Sequence, residues 1–91
     1  MPYEWDPAKA ASNLRKHRVS FREAKTVFDD WRVRHEPDDD HSACEDRNRA
    51  IGRSDRGRLL TVIYTLRGER TRIISARLAG PRERRAYERR L

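Results

Sequence analysis

The stretch that decides the fold is RLLTVIYTLRGERTRIISAR, residues 58–77. It contains a long apolar run at 59–64, a short polar break with Gly68, and a second β-branched run at 72–76. Two such runs joined by a few residues that include a glycine predict a β-hairpin. The first strand carries apolar side chains on both faces, which predicts a central strand covered on both sides. Arginines border the second strand, so the sheet could offer a platform for phosphates.

The residues outside the hairpin predict three more strands and three helices. Asp6 before Pro7 is a helix N-cap, and Ser20 with Glu23 forms a capping box. The expected order is strand 3–5, helix 7–17, helix 21–28, strand 31–35, strand 48–54, the hairpin and helix 82–90. This order predicts an α+β fold, an antiparallel β-sheet meander with two N-terminal helices and one C-terminal helix.

Two local features leave alternatives open. Arg18 follows the first helix at a position where glycine or asparagine is usual, so it either adopts a positive φ or the helix ends in another way. The last helix has only Ala86, Tyr87 and Leu91 as apolar residues. That helix therefore either docks through Tyr87 or waits for a partner.

The positive charge is concentrated in the second half of the chain. Residues 1–46 hold 8 basic and 11 acidic side chains, a balance of −3, and residues 47–91 hold 14 basic and 4 acidic ones, a balance of +10. Nearly all of these cations are arginines, whose planar fork suits phosphate. A solubilising surface paired with its own acids is the alternative, but the one-sided clustering favours a nucleic-acid partner.

Composition also limits the compartment and the number of domains. The 91 residues fit one small domain. A single cysteine, Cys44, excludes an internal disulfide and fits a reducing compartment. The start of the chain lacks the apolar core of a signal peptide, and no apolar run is long enough to span a bilayer. We expect a cytoplasmic protein without a membrane partner.

The three histidines have competing interpretations. His17 could be a general acid, a general base or a phosphate contact, or simply a favourable residue in the last turn of a helix. His35 alternates with Trp31 and Val33, which favours a packed strand residue. His41 and Cys44 have a metal-like spacing, but no second pair matches it, so we expect no metal site. The sequence contains no P-loop, dinucleotide fingerprint or nucleophile elbow, and we expect no cofactor.

Arginine, lysine and histidine together could cleave RNA without a metal. A base must deprotonate the 2′-hydroxyl, an acid must protonate the leaving 5′-oxygen, and cations must stabilise the charged phosphorane. Arginines that flank or follow the hairpin could supply the cations: Arg53, Arg58, Arg72, Arg77 and Arg84. Lys9, Lys16, His17 and Tyr64 could supply the proton transfers.

Four segments of the chain match a known family. They are Trp5–Lys9 with Asn13, Lys16, His17, Val19, Phe21, Glu23 and Ala24; residues 27–30; residues 40–42 with Glu45 and Arg47; and residues 51–54, 57–60, 62, 64–65 and 72–77 with Glu83, Arg84 and Tyr87. On these residues the sequence resembles the BrnT toxins, the ribonuclease half of BrnT–BrnA type II toxin–antitoxin pairs. Arg18 departs from the pattern, since the family usually has glycine there.

The resemblance implies a small RelE-like toxin domain over residues 1–91. It further implies a metal-independent endoribonuclease that inhibits translation and is neutralised by a BrnA-like antitoxin. We expect a heterotetramer with that antitoxin, and contact with DNA only through it.

Residue roles follow from the resemblance together with the charge pattern. Arg53 and Arg77 are the expected phosphate stabilisers. Lys9 and His17 are the next candidates, for proton transfer or RNA contact, and Tyr64 follows them, although it shares a strand face with Leu60 and Val62. Further RNA contacts are expected from Lys16, Arg58, Arg72 and Arg84. The alternative function is a non-catalytic nucleic-acid-binding module or an inactive toxin homologue.

Overall fold

The structure, a computed structural model, describes residues 2–38 and 46–89. The described strands form one sheet in the order β1-β5-β4-β3-β2. The strands are β1 (Tyr3–Glu4), β2 (Arg34–Pro37), β3 (Asn48–Arg53), β4 (Leu59–Arg67) and β5 (Arg70–Leu78). The helices are α1 (Pro7–His17), α2 (Phe21–Ala24), which continues as a 3₁₀ segment over Lys25–Asp29, and α3 (Pro81–Glu88). The α+β class and the order of the elements are as predicted.

The sheet is mixed, which corrects the expectation of a purely antiparallel meander. Strands β2 to β5 are antiparallel neighbours, as expected, but β1 pairs parallel to β5 with Tyr3 opposite Thr71. No short turn joins β1 to β5, so local sequence does not fix their relative direction. The first strand of the chain, β1, lies at the outer edge of β5 and runs in the same direction as β5.

Strand β4 is the central strand, and both of its faces are buried. On one face Leu60, Val62 and Tyr64 join a core cluster with residues of α2 and β5. On the other face Leu59 packs with Ile51 and with Tyr87 of α3. Tyr87 is 3% exposed, so the last helix docks through this residue.

The first two helices begin at the predicted caps. The Asp6 carboxylate accepts a hydrogen bond from the Lys9 amide at 3.0 Å, and Ser20 Oγ accepts one from the Glu23 amide at 3.0 Å. In the predicted capping box the Glu23 carboxylate would accept from the Ser20 amide. In the structure it accepts hydrogen bonds from Ser54 and Arg58. Arg18 ends α1 in the left-handed region with φ 58°. Of the two alternatives that the sequence left open at this position, the structure thus shows the positive φ.

The predicted strand over 31–35 starts too early. Trp31 and Arg32 form a turn, and β2 begins at Arg34. The Asp30 carboxylate accepts a hydrogen bond from the Arg32 amide at 3.0 Å, and the Asp30 carbonyl accepts one from the Val33 amide at 2.9 Å. An aspartate that bonds its own backbone two residues on favours a turn over a strand, and the alternating pattern did not reveal this.

Asn13 of α1 takes the place of a neighbouring strand at the outer edge of β5. Its side-chain amide donates to the Ala76 carbonyl at 2.8 Å and to the Val19 carbonyl at 2.9 Å, and its carbonyl accepts from the Ala76 amide at 3.1 Å. Asn13 is 6% exposed, and buried backbone groups need such partners. The residue therefore fixes α1 against β5.

Glu83 fixes α3 against the opposite face of the sheet. Its carboxylate accepts two hydrogen bonds from Arg77, at 2.7 and 2.9 Å, and one from the Gly80 amide at 2.9 Å. Burial alone would raise the pKa of Glu83, but the Arg77 and Gly80 hydrogen bonds outweigh it and lower the pKa to about 2. Glu83 is therefore ionised near neutral pH.

Replacing Asn13 with alanine should destabilise the fold, because the buried Ala76 amide and carbonyl would lose their partner. Unsatisfied buried groups cost about 1–3 kcal/mol each, so the free energy of unfolding should fall by at least about 2 kcal/mol in urea titrations. Asn13→Asp keeps the shape of the side chain but puts a carboxylate oxygen where the amide nitrogen donates to the Val19 and Ala76 carbonyls. It should destabilise the fold as much as alanine or more. A loss below about 0.5 kcal/mol for both variants would show that the edge contact is not needed.

The Glu83 contacts should stabilise the fold above pH 4.5 and lose their effect as the pH falls toward 2. The sign follows because the pKa in the folded state, about 2, lies below the ordinary value of 4.5. Glu83→Gln should lower the free energy of unfolding at pH 7 by about 2–3 kcal/mol, and this difference from wild type should shrink toward pH 3. Glu88→Gln, on the exposed side of the same helix, should show little difference at either pH. A pH-independent Glu83→Gln effect would contradict the ionised pair.

Candidate functional site

A groove lined by arginines crosses the face of the sheet beside α3. Strand register places Arg49 opposite Ile63 and Ile63 opposite Ser75, so the three residues form one row across β3, β4 and β5. Arg77 lies two residues after Ser75 and therefore on the same face. The groove has a volume of about 340 Å³, and its lining is Asp38, Arg47, Arg49, Ile63, Ile74, Ser75 and Arg77.

A second, smaller cleft lies between α1 and the same part of β5. Lys9, Ser12 and Lys16 follow each other at helical spacings of three and four, which places them on one side of α1. The cleft has a volume of about 170 Å³ and is lined by Lys9, Ser12, Asn13, Lys16, His17, Ile74 and Ser75. The structure therefore brings together three of the predicted residues, Lys9, Lys16 and His17.

The two clefts meet at Ile74 and Ser75, which line both of them. We call the two clefts together the β5 site. Among the described lining residues, the cations are Lys9, Lys16, Arg47, Arg49 and Arg77, and the carboxylate is Asp38. The β5 site can hold a phosphodiester with cations on both sides of Ser75.

Two glutamates, Glu83 and Glu36, accept hydrogen bonds from the arginines that line the groove. Arg77 makes the bidentate pair with Glu83, and Arg49 reaches the same carboxylate at 3.4 Å. Arg49 also donates to Glu36 at 2.7 Å across the β2–β3 pair. The Glu83 hydrogen bond raises the pKa of Arg77, so its guanidinium stays charged.

Arg53 and Arg84 lie away from the β5 site. The Arg53 guanidinium lies over the Tyr87 ring, 5.9 Å from its centre, and donates to the Gly57 carbonyl at 3.3 Å. Arg84 is exposed on α3. The structure thus separates Arg53 from Arg77, although the sequence analysis grouped them in one role.

Arg58 and Arg72 are held in ion pairs with acids far away in the sequence. Arg58 Nε donates to Glu23 at 3.0 Å, and its terminal nitrogen donates to the Arg18 carbonyl at 3.0 Å. The Arg58 hydrogen bond lowers the pKa of Glu23 despite burial. Arg72 donates to Glu4 at 2.8 Å, which links β5 to β1. Both arginines therefore stabilise packing between elements of the fold.

Tyr64 belongs to the core and lines neither cleft of the β5 site. It is 7% exposed, its ring packs edge-on against Phe28, and its hydroxyl lies 2.7 Å from His35 Nδ1. Burial raises the pKa of Tyr64, so the hydroxyl keeps its proton near neutral pH. His35 is exposed on β2 and contacts the same two rings.

Sequence reasoning did not identify the β5 site's Arg49 and Ser12. Arg47 and Ser75 entered only as part of the family resemblance. The available signal was the alternation Arg47, Arg49, Ile51, which places Arg49 and Ile51 on one face of β3 and continues to Arg47, just before the strand begins. It could have been recognised once the pairing of β3 with β4 was known.

Metal and membrane sites can be assessed for the described residues alone. In residues 2–38 and 46–89, no group of three or more His, Cys, Asp or Glu side chains could hold a metal ion. The predicted His41–Cys44 pair lies outside the described residues. No helix in the described part of the chain is long and apolar enough to cross a membrane.

Comparison with known proteins identifies the family. The family model described as "Ribonuclease toxin, BrnT, of type II toxin-antitoxin system" matches residues 5–83. The crystal structure of the Brucella abortus ribonuclease toxin BrnT is similar at 28% sequence identity and a TM-score of 0.69, with 88% of this chain and 97% of that chain covered. No curated protein matches the chain. The chain therefore belongs to the BrnT family of ribonuclease toxins of type II toxin–antitoxin systems.

Proposed function

We propose that the chain is a metal-independent endoribonuclease that cleaves RNA at the β5 site and thereby inhibits translation. The observation that carries the proposal is the meeting of two cationic clefts at Ser75. One cleft supplies fixed arginines and the other supplies Lys9, Lys16 and His17, so stabilising and proton-transferring groups lie on either side of one point. We propose one RelE-like toxin domain over residues 1–91.

The reaction is an intramolecular transesterification. A base removes the proton of the 2′-hydroxyl, and the 2′-oxygen attacks the adjacent phosphorus. The bond from phosphorus to the 5′-oxygen breaks, and an acid returns a proton to that oxygen. The products are a 2′,3′-cyclic phosphate and a 5′-hydroxyl, and the added negative charge of the phosphorane needs cations at the phosphate.

The geometry supports distinct roles for the clefts of the β5 site. Arg77 and Arg49 are the proposed phosphorane stabilisers, and their hydrogen bonds to Glu83, together with their position in the lining of the groove, support this role. His17 and Lys9 are the proposed proton-transfer groups, and Lys16 a phosphate contact. Arg53 and Tyr64 lie outside the β5 site, so their contribution to catalysis is not supported by the geometry.

The family relationship supports an antitoxin partner for this chain. We propose a BrnA-like antitoxin, a heterotetrameric complex that contacts DNA only through the antitoxin, and a cytoplasmic location. Arg84 remains available on the exposed side of α3 for RNA or for this partner.

One observation favours the second candidate function, nucleic-acid binding without cleavage. Arg77 and Arg49 both donate to Glu83, which leaves fewer donors for a phosphorane than two unpaired arginines would have. Binding needs only the positive field of the site, whereas catalysis needs free donors at the phosphate. Direct assays separate the two functions.

The purified chain should cleave a defined single-stranded RNA in the presence of EDTA. We expect products with a 2′,3′-cyclic phosphate and a 5′-hydroxyl, identified by mass spectrometry of the cut ends. Products with a 3′-hydroxyl and a 5′-phosphate would contradict the mechanism. No cleavage by the folded chain, with or without ribosomes, would support the binding module.

Arg77→Ala should reduce RNA cleavage by about 10²–10³-fold, the range measured when one donor to a developing oxyanion is removed. Arg77→Lys keeps the charge but not the fork, and it should fall between wild type and Arg77→Ala. The matched control is Arg70→Ala, at the other end of the same strand, which should change cleavage less than about threefold. If Arg70→Ala and Arg77→Ala lose the same amount of RNA cleavage, and circular dichroism shows that both variants are folded, the β5 site is not the site of cleavage.

A further inference from the structure

Trp31 is a large apolar side chain that the fold leaves in solvent. It is 88% exposed, more than any other large hydrophobic residue in the described part of the chain. Asp30 holds the turn that carries Trp31 by two hydrogen bonds. Its carboxylate accepts from the Arg32 amide, and its carbonyl accepts from the Val33 amide. The indole is therefore presented on a defined turn and contributes little to the core.

Trp31 is the outermost member of an alternating series of rings and cations. The Arg32 guanidinium lies 5.6 Å from the Trp31 ring centre and 5.4 Å from the Tyr87 ring centre. Arg53 lies 5.9 Å from the Tyr87 ring centre. We call Trp31, Arg32, Tyr87 and Arg53 the Trp31 stack. Both cations lie within the distance at which cation–π attraction acts, which favours this arrangement of the four side chains.

The Asp30 carboxylate organises the base of the Trp31 stack. It accepts hydrogen bonds from the Arg32 amide, from the Arg53 amide at 2.9 Å and from the Tyr87 hydroxyl at 2.7 Å. With these donors, its charge is compensated locally. Asp30 also lines a hollow with Asp29, Asp55 and Arg53, and these nearby acids make Arg53 a weaker phosphate contact than Arg32.

We propose that Trp31 is a stacking platform for an unpaired nucleobase, with Arg32 and Arg53 next to the phosphates that flank it. An exposed ring with cations beside it is how proteins bind single-stranded nucleic acid without reading its sequence, because every base has a π-face. This inference rests on the proposed RNA-cleaving function and adds a second contact for the same strand, outside the β5 site.

The position of the Trp31 stack fits a strand that also occupies the β5 site. Arg49, Ile51 and Arg53 alternate on β3 and so share one face of the sheet. Ile51 packs with Tyr87 on that face. Arg49 lines the groove and Arg53 belongs to the Trp31 stack, so one face of β3 links the two surfaces.

A nucleic acid is favoured over a protein partner because of the charges. The side chains of the Trp31 stack are two rings and two guanidiniums, which complement a base and its phosphates. A protein that docked here would have to bring acids to Arg32 and Arg53 and an apolar pocket to Trp31. The antitoxin is therefore the competing occupant, and the experiment includes it.

The test uses the intrinsic fluorescence of Trp31 and a ligand that the chain cannot cleave. The protein has two tryptophans, Trp5 and Trp31, so in Trp5→Phe the signal comes from Trp31 alone. The ligand is a single-stranded oligodeoxyadenylate of about ten nucleotides, within the range that such surfaces bind; without 2′-hydroxyls it cannot undergo transesterification. We expect it to quench Trp31, and an abasic strand of equal length and charge to leave the signal unchanged.

A binding assay on the otherwise intact chain gives an independent measurement. With a fluorescently labelled oligodeoxyadenylate, Trp31→Ala should weaken binding by about tenfold, the loss typical for one stacked base. Trp31→Phe should recover part of the affinity. The matched control is Leu66→Ala, another exposed apolar residue at 66% exposure, which should bind like wild type.

The outcomes separate this inference from the proposed function. Equal quenching by the abasic strand, or unchanged affinity in Trp31→Ala, would overturn the stacking platform even if RNA is cleaved. A change in Trp31 fluorescence on addition of a purified antitoxin, with no change on addition of the oligonucleotide, would also overturn the stacking platform and would indicate protein docking. Quenching by the base-containing strand without any RNA cleavage would support the platform and contradict the ribonuclease.

Discussion

The structure depends on the burial of β4 on both faces. A strand whose two faces are apolar requires a cover on each side of the sheet. The N-terminal helices pack on one face, and α3 packs on part of the other, around Leu59 and Ile51. The uncovered part of that second face is where Arg49, Ser75 and Arg77 line the groove. The candidate site is thus the portion of the central layer that a short last helix does not reach.

The acidic side chains that pair with arginines determine which of these cations remain available to a ligand. Glu23 holds Arg58, and Glu4 holds Arg72, so these two cations join elements of the fold. Glu83 also pairs with arginines, but Arg77 and Arg49 still line the groove while they donate to it. In a chain with 22 Lys and Arg against 15 Asp and Glu, the placement of the acids says more about function than the number of cations.

Sequence patterns predicted the local elements and failed where distant residues meet. The hairpin, the caps at Asp6 and Ser20 and the order of the elements depend on neighbouring residues, and the structure confirms them. The parallel pairing of β1 and the partners of Arg58 and Arg72 join residues far apart in the chain, so no local spacing encodes them. The alternation around Trp31 predicts a strand, because a pattern of apolar residues cannot show that Asp30 folds the backbone into a turn. Of the residues that line the candidate site, Lys9, Lys16, His17 and Arg77 could be predicted from the sequence, but the place where the two clefts meet could not.

Asn13 has a consequence beyond the packing of α1. The unpaired edge of a sheet is a template on which another chain can add a strand, and proteins with exposed edges risk self-association. At Ala76 both backbone groups of β5 are already occupied by the Asn13 amide. The Asn13 side chain thus prevents a second copy of the chain from adding a strand to the sheet at this position. The first helix thereby protects this part of the β5 edge from pairing with another strand.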